Sequence, residues 1–456
     1  MSPPNAARPR PTPRPAKPPC RETRRFRSTI PPGTMRRRRG LASSVVDMLR
    51  SYDTAPALGG DRPARGVSLL SLVVFLAFLV AFALRADAEW RRVHHPPTGP
   101  YSGIATLVGD PEYRGAGVAV VFRIEGWRYE AVFYGADAWR VRDHMQGESV
   151  LLSATRRTWG ASVSRYKLVR HVAGRLDDVV LGGDWTQGSA LARATNRVRR
   201  LIAHGASSLP PAEASLLTGL VIGDDRAQSR EMRTAFRDSG LSHLTAVSGQ
   251  NIVFVLAVFA PVITRLRPRA RLVATLGVLG AFTMMTRAEP SVLRAAAMAG
   301  LAAIVFARGG SIPAWRTLVV SASVLLLADP FLAWSVGFWL SVSATAGLVA
   351  IGPRCETLLR CMGCPAIVAV PLAASTAAQI ATLPVLVVVF GRIAPWGLLA
   401  NLFAVPMAGA VMLCGLPLCI VAGLTGGVGA EILTAPLLLG VRWVWWCAAV
   451  VARLPG

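Results

Sequence analysis

Uncharged apolar runs alternate with short charged breaks along this chain, and the alternation dominates everything beyond residue 240. The first run stands alone. Gly66 to Leu84 is uncharged between Arg65 and Arg85, long enough as a helix to match a hydrocarbon core of roughly 30 Å. It is too long, and too far from the N-terminus, to be a signal peptide's apolar segment. From Leu244 to Thr264 no charge occurs. Beyond it, Arg-dense breaks (Arg265/Arg267/Arg269/Arg271, Arg308/Arg316, Arg354/Arg360) alternate with thinly charged ones (Arg287–Arg294, Asp329, Arg392). Placing the Arg-dense breaks in the cytoplasm predicts a zigzag of about nine spans. Ala295–Ala307 and Thr317–Ala328 are short, which fits the broken helices that line transport sites. Ile393–Ala430 is uncharged throughout, but Pro406, Gly415 and Pro417 are expected to interrupt it.

Residues 98–185 carry a different period. Gly103–Val108, Val118–Ile124, Tyr129–Tyr134, Val150–Thr155 and Tyr166–Val172 are short, β-prone and separated by turn residues. Five such strands suit a small barrel of the OB type. Basic and aromatic residues interleave there. Trp127, Arg128, Trp159 and Arg170 are therefore candidates for contacting a nucleic-acid strand by stacking and phosphate pairing. A barrel core with snorkelling arginines explains the same composition. Residues 188–239 follow as two linker helices. Leu191, Ala194, Val198, Leu201 and Ile202 make the first an interfacial amphipathic helix. Pro210-Pro211 opens the second, whose stripe is Leu216, Leu217, Leu220 and Val221, and Gly223-Asp224-Asp225 turns the chain.

At 52% hydrophobic residues the chain is too apolar for an ordinary soluble protein. The expected class is a polytopic α-helical membrane protein with a small extracytoplasmic β-barrel (OB-like) domain. The formal charge of +25 is unevenly spread: residues 1–66 hold fourteen Arg and one Lys against four acidic residues, a net of 15 − 4 = +11. Residues 1–65 are also Pro-rich and aperiodic, so they read as a disordered basic cytoplasmic tail. Such a tail suits anionic headgroups or nucleic acid, or serves as a topology signal. Met35 is an alternative start to Met1. Cys361-x-x-Cys364, with Cys355 nearby, has metal or redox spacing but lacks a second pair or a histidine, and reads as reduced loop thiols.

The stretch Gly240–Asn251 sets an imidazole, hydroxyls and two amides at the mouth of an apolar run. Polar groups at such depth are costly unless they face a bundle interior or a wet cavity, so a pathway is the default reading. The candidate pathway residues are His243, Ser248, Gly249, Asn251, Arg294, Gln379 and Asn401. Plainer roles stand beside them. His243 can cap a helix entry, Ser248-Gly249 can let helices approach, and Gln379 and Asn401 can bond between helices. Arg294 can bind phosphate bidentately or snorkel to the interface. Asp329-Pro330 reads as a turn and cap.

Five motifs recur in order: Gly240–Asn251, Pro290–Ala295, Gly337–Leu348 after Asp329-Pro330, Ala378–Pro384 running to Phe390-Gly391, and Asn401–Pro406. In that order they resemble the membrane competence domain of the ComEC family. Leu216–Gly223 echoes that family's linker helix, and Gly103–Leu176 its OB-like domain. The resemblance covers residues from about Gly66 onward. It implies an inner-membrane channel component that passes single-stranded DNA during transformation, in the bacterial plasma membrane, multi-pass, with the N-terminus cytoplasmic. The implied partners are single-stranded DNA, the lipid bilayer, a DNA receptor, a separate nuclease and a cytoplasmic ATPase, with homo-oligomerisation an open option. No P-loop motif is present to supply work internally. Two departures qualify this. Many members carry histidine where Asn251 stands. Many also continue into a metallo-β-lactamase-like domain with an HxHxDH zinc motif, and none of the six histidines here has that spacing. The expectation is a chain without the hydrolase, hence no enzyme, no cofactor and no metal.

The sequence divides as 1–65 tail, 66–84 first span, 98–185 OB-like domain, 188–239 linker helices and 240–456 competence-type membrane domain. Two other readings stay open: a permease for another solute on the same bundle, and a transport-inactive truncated paralogue. A hydrolase using Ser248 and His243 is disfavoured, because five residues along one helix, about 500° of rotation, separate the two side chains.

Overall fold

The structure, a computed structural model, describes residues 69–159, 164–245, 248–391 and 396–454. The basic tail and the alternative start lie outside the described residues. The first helix, α1 (Leu69–His94), runs past the apolar segment predicted for it. Its polar end is sustained by the i,i+4 pairs Arg85–Glu89 (3.5 Å) and Asp87–Arg91 (2.5 Å), with Arg91, Arg92 and His94 in the last turn complementing the helix dipole.

The extramembrane sheet has six strands: β1 (Gly99–Leu107), β2 (Glu112–Arg114), β3 (Gly117–Ile124), β4 (Trp127–Phe133), β5 (Ser149–Thr158) and β6 (Val172–Thr186). They pair in the order β1-β5-β6-β4-β3-β2, all antiparallel except β4–β6. The sheet curls so that the end of β1 also touches β3, but over only two residue pairs, Thr106↔Arg123 and Leu107↔Phe122. Leu107, Val120, Phe122, Ile124, Tyr129 and Leu152 fill its core. Helix α2 (Gly135–Arg142) covers it. The strand expected at Tyr166–Val172 is instead a short helix, α3 (Arg165–Val169), and β6 begins only at Val172. Backbone hydrogen bonds from Lys167 and Leu168 to the Ser164 carbonyl start this turn, and His171 ends it at φ 54°. Local turn geometry overrides the β-prone Tyr and Val there.

Helix α4 (Ala190–Ala206) does not lie free as an amphipathic helix. Arg199, Ile202 and Ala206 are buried, and the helix crosses α15 (Gly397–Thr425) at backbone contact. A Cβ on Gly205 would collide with the Cys419 carbonyl oxygen, and one on Gly423 with that of Leu201. Small residues thus set this crossing, as in membrane helix packing. Helix α5 (Pro211–Ile222) sinks Leu216, Leu217 and Leu220 into the same core and ends at Gly223, whose φ of 70° terminates it. Then come α6 (Arg230–Asp238), α7 (Ser242–Thr245), α8 (Gly249–Ile263), α9 (Pro268–Met285), α10 (Pro290–Ala307), α11 (Ala314–Ala328), a 3-10 turn (Pro330–Trp334), α12 (Val336–Ala350), α13 (Gly352–Cys361), α14 (Ala366–Phe390), α15, and α16 (Gly427–Val451).

Among the described residues four helices are long and apolar enough to cross a bilayer (α10, α14, α15 and α16), or five if α12 and α13, bent by 48°, make one span. The protein is a polytopic α-helical membrane protein. The nine spans expected exceed this count: α8, in the run Leu244–Thr264 expected to span, has only 15 residues, and α11 is short as its run suggested, whereas α10, whose run looked short, is one of the four. The interruption expected at Pro406, Gly415 and Pro417 does not occur: α15 passes through both prolines for 29 residues. Neighbouring helices can re-satisfy the freed backbone groups in such a setting. Cys355 and Cys364 are free thiols.

A buried ionic cluster joins sheet and bundle. Asp110, between β1 and β2, accepts from Arg199 of α4 (Nη1, 3.1 Å), from the Gln146 backbone N–H (2.8 Å) and pairs with Nε of Arg287 (3.1 Å), which follows α9. Asp224 pairs with Arg226 (2.7 Å) and more loosely with Arg199 (3.4 Å) and Arg287 (3.6 Å). Burial would raise the Asp110 carboxyl pKa, but the Arg199 hydrogen bonds and the charges of Arg199, Arg287 and Arg226 outweigh it and hold it well below its ordinary value. Asp224 is lowered the same way, Arg226 supplying the first opposing interaction to burial.

A second junction forms where Val93, Leu168, Ala173 and Phe331 pack together. There His171 Nε2 meets Asp329 (3.0 Å), and Arg85 donates to the carbonyls of Leu327 and Ala328 at the end of α11. Asp329 also accepts from the Phe331 N–H (3.0 Å), the cap its sequence predicted.

Because the folded carboxyls are depressed, their stabilisation is full above the ordinary carboxylate pKa of about 3.9 and fades as pH falls below it. Thermal unfolding in detergent between pH 5 and pH 2 is expected to show an acid loss, setting in below about pH 4, that Asp110→Asn flattens. The same substitution should cost about 3–5 kcal/mol at pH 7 by stranding buried guanidiniums. Gly423→Val should destabilise by about 1–3 kcal/mol through overpacking at the α4–α15 crossing; an unchanged melting temperature would refute that contact.

Candidate functional site

The bundle forms a half-open cavity of about 3470 Å³, several times the 300–1,000 Å³ typical of small-molecule pockets. Its walls come from α8, α10, α12, α14 and α15, which repeat small and aliphatic side chains because they pack as apolar helices. Hydroxyls and amides are set among them, including Gln250, Ser341, Thr345 and Ser375. At one mouth the lining turns ionic, with Arg226, Arg233, Arg237, Arg287 and Glu289, beside Glu112 and Tyr113 of the sheet.

Six of the seven pathway residues predicted from sequence line this one cavity: His243, Ser248, Gly249, Arg294, Gln379 and Asn401. They come from α7, the start of α8, α10, α14 and α15, so tertiary packing assembles them. His243 reaches the cavity while its Nδ1 lies 3.3 Å from the Gly240 carbonyl, a local cap contact. Asn401 Oδ1 makes no hydrogen bond among the described residues. Gln379 makes no side-chain bond to another helix among the described residues, and Ala246 and Val247 lie outside those residues.

Asn251 does not line the cavity. Its side chain is buried, accepting from Ser248 Oγ (3.0 Å) and donating to the Leu220 carbonyl (3.1 Å). It ties the first turn of α8 to the last turn of α5. The helical spacing that turns Gly249 and Gln250 toward the cavity turns position 251 away from it.

Arg294 is the chemical centre of the wall. It is 6% exposed, and its Nε donates to Ser341 Oγ of α12 (2.8 Å) while Nη1 lies 3.1 Å from Met298 Sδ. Among the described residues no carboxylate lies within ion-pair distance of it. Gly249 gives it room: a Cβ there would sit 3.1 Å from Arg294 Nη2 and 3.1 Å from Ala295 Cβ. The result is a fixed, unneutralised guanidinium with hydroxyl support, facing a large cavity. Such a group can hold phosphate or carboxylate oxygens through charge-assisted bonds.

The four strand-contact candidates of the sheet are otherwise engaged. Arg170 is bidentate to Glu112 (2.6 and 3.0 Å), and Arg128 donates to the Arg170 carbonyl (2.9 Å). Burial raises the Glu112 carboxyl, but the hydrogen bonds and charge of Arg170, with Tyr166 and Arg114, together hold it below its ordinary value. Trp127 packs against both the sheet core and the α1 junction, with the Arg92 guanidinium 5.6 Å from its ring. Lys167 covers the Trp159 ring at 2.8 Å and pairs with Glu130 at 3.2 Å. These side chains brace the domain internally; they do not form one open stacking face.

Sequence reasoning missed Arg226, Arg287 and Ser341. Gly223-Asp224-Asp225 registered only as a turn and Arg287 only as a sparse charge. Ser341 stood inside a quoted motif, and its pairing with Arg294 depends on how α10 meets α12. Among the described residues no group of three or more His, Cys, Asp or Glu side chains is placed to hold a metal.

Comparison with known proteins bears on this same region. Residues 220–456, just over half of the chain and the part that holds the membrane walls, match the model of the Competence protein family. The chain is 30% identical to ComE operon protein 3 of Bacillus subtilis (strain 168) over 216 residues, 46% of this chain and 26% of that protein. It is 34% identical to Competence protein ComA of Neisseria gonorrhoeae over 144 residues, 29% of this chain and 21% of that protein. It is 23% identical to the uncharacterized protein YcaI of Escherichia coli (strain K12) over 210 residues, 42% of this chain and 27% of that protein. The chain thus spans about a quarter of the length of these relatives. No solved structure matches it. With four long apolar helices, a family match over the helices that enclose the cavity, and motifs of the ComEC type, this multi-pass plasma-membrane protein belongs to the Competence protein family.

Proposed function

We propose that the protein takes part in DNA uptake during transformation, and that its cavity conducts one DNA strand across the plasma membrane. The observation that carries this reading is Arg294, a cation without a carboxylate partner in the wall of a cavity far larger than a solute pocket. A buried charge in a membrane wall is expensive to maintain, so its retention favours a role toward an anion that moves past it. The relatives named competence proteins support the same direction.

In this reading the curled sheet is an OB-like domain on the outer face, and the N-terminus is cytoplasmic. The chain acts as a conduit and not as an enzyme. A DNA receptor, a separate nuclease and a cytoplasmic ATPase would deliver, trim and pull the strand. A second reading, a permease for a lipid-linked or other amphiphilic anion, is favoured by one observation: the wall presents more apolar than polar surface.

Arg294→Gln is expected to lower DNA uptake at least tenfold, the equivalent of losing one charge-assisted contact worth about 1.5–3 kcal/mol. Arg294→Lys should recover only part of it, because an ammonium cannot reproduce the planar fork. The measurement is transformation frequency in a host relying on this chain, with membrane abundance checked in parallel. Full uptake by the glutamine variant would sink the strand-conduit reading.

A further inference from the structure

Resting on the strand-conduit reading, we propose that α6 is the loading surface at the cavity mouth, where Arg230, Arg233 and Arg237 hold the phosphate backbone of the incoming strand. The three residues lie three and four positions apart, so they share one helical face. All three are exposed, and Arg233 and Arg237 line the cavity itself. At about 1.5 Å per residue the stripe is about 10 Å long, and each of its three long side chains can reach one phosphate of a strand laid along it.

The stripe is free to bind. Among the described residues Arg230 and Arg233 have no carboxylate within ion-pair distance, and Arg237 has only its exposed neighbour Asp238 at 3.4 Å. An exposed pair of that kind contributes little and exchanges readily for a phosphate. The opposite face anchors the helix. Met232 and Phe236 are buried, Phe236 stacks on Trp445 at 6.3 Å, and Ser229 caps the first turn by accepting from the Met232 N–H at 3.0 Å. The arginines therefore project from a fixed platform. In the sheet domain, by contrast, Arg128, Arg170 and Lys167 are bound by internal partners. The strand thus enters along α6 and reaches Arg294 afterwards.

An anionic bilayer surface presents the same phosphate chemistry, and the cavity-facing position of Arg233 and Arg237 favours the strand. The test uses the full chain in neutral-lipid nanodiscs with a fluorescent thymidine twenty-mer, titrated against salt. R230Q/R233Q/R237Q should reduce the magnitude of the log K against log salt slope by about 2, at roughly 0.7 per phosphate contact for a single strand. The corresponding triple lysine variant should keep the slope, which also controls for folding. Arg354→Gln, an exposed arginine outside the cavity lining, should leave it unchanged. The proposal is overturned by an unaltered slope, by an equal loss in Arg354→Gln, by no oligonucleotide binding in the unsubstituted chain, or by a loss seen only with anionic vesicles. If the slope is unaltered while Arg294→Gln still abolishes uptake, the loading surface falls and the conduit reading stands. If oligonucleotide binding depends on the stripe yet no variant affects uptake, the conduit reading falls.

Discussion

One buried and one partly buried carboxylate, held by three guanidiniums, organise this molecule. Asp110 comes from a sheet loop, Arg199 from α4, Asp224 and Arg226 from the turn after α5, and Arg287 from the turn after α9. Removing five charges from water costs several kcal/mol per ion, and only close, multiply bonded geometry repays it. That requirement restricts the arrangement: five groups from four separate segments satisfy one another only when sheet, linker and bundle sit in one relative position. The cluster keeps a net charge of one positive, since three guanidiniums meet two carboxylates, and it stands at the ionic mouth of the cavity.

From that anchor the constraint passes in two directions. Arg199 fixes α4, whose Gly205 meets α15 at backbone contact, and α15 carries Asn401 into the cavity. Arg287 and Ala288 both adopt left-handed backbone conformations, φ 62° and 54°, just before α10 begins. Such conformations are strained for residues with a side chain and persist where surrounding contacts over-determine them. Here the Arg287 pairing with Asp110 supplies those contacts. It aims the helix that carries Arg294, two turns further on. Ser341 of α12 then receives the guanidinium, so the cation sits in a defined place on the wall.

The cavity itself follows from helix composition. Walls of alanine, valine and leucine pack into lipid and into one another without leaving unpaired polar groups. The hydroxyls and amides spread over five helices keep the lumen wettable. Arg294, which lines the lumen without a carboxylate partner, is a wall group, whereas Asn251, sealed between α5 and α8, is a structural bond. Both are polar residues of the same part of the bundle, and only their partners tell them apart.

Hydrophobic patterning in the sequence settled the membrane class, the existence of a separate strand-rich segment and the list of polar residues worth locating. Each of these is a local property, set by residues within one helix or strand. It also marked Gly249 and Arg294 through chemistry that is unusual for an apolar run. A short apolar run foretold the short helix α11, but charge-free length misled at α8 and α10 and prolines misled at α15, since a helix-breaking signal in water is tolerable where neighbours satisfy the backbone. The strand placed at Tyr166–Val172 failed because side-chain preference there is weaker than the turn closed at Ser164. Tertiary structure alone decided that six dispersed residues share one cavity, that Asn251 turns away from it, and that Arg170 spends its charge on Glu112. Those outcomes depend on which helices and loops touch, and contacts between segments tens to hundreds of residues apart leave no periodic trace in the chain.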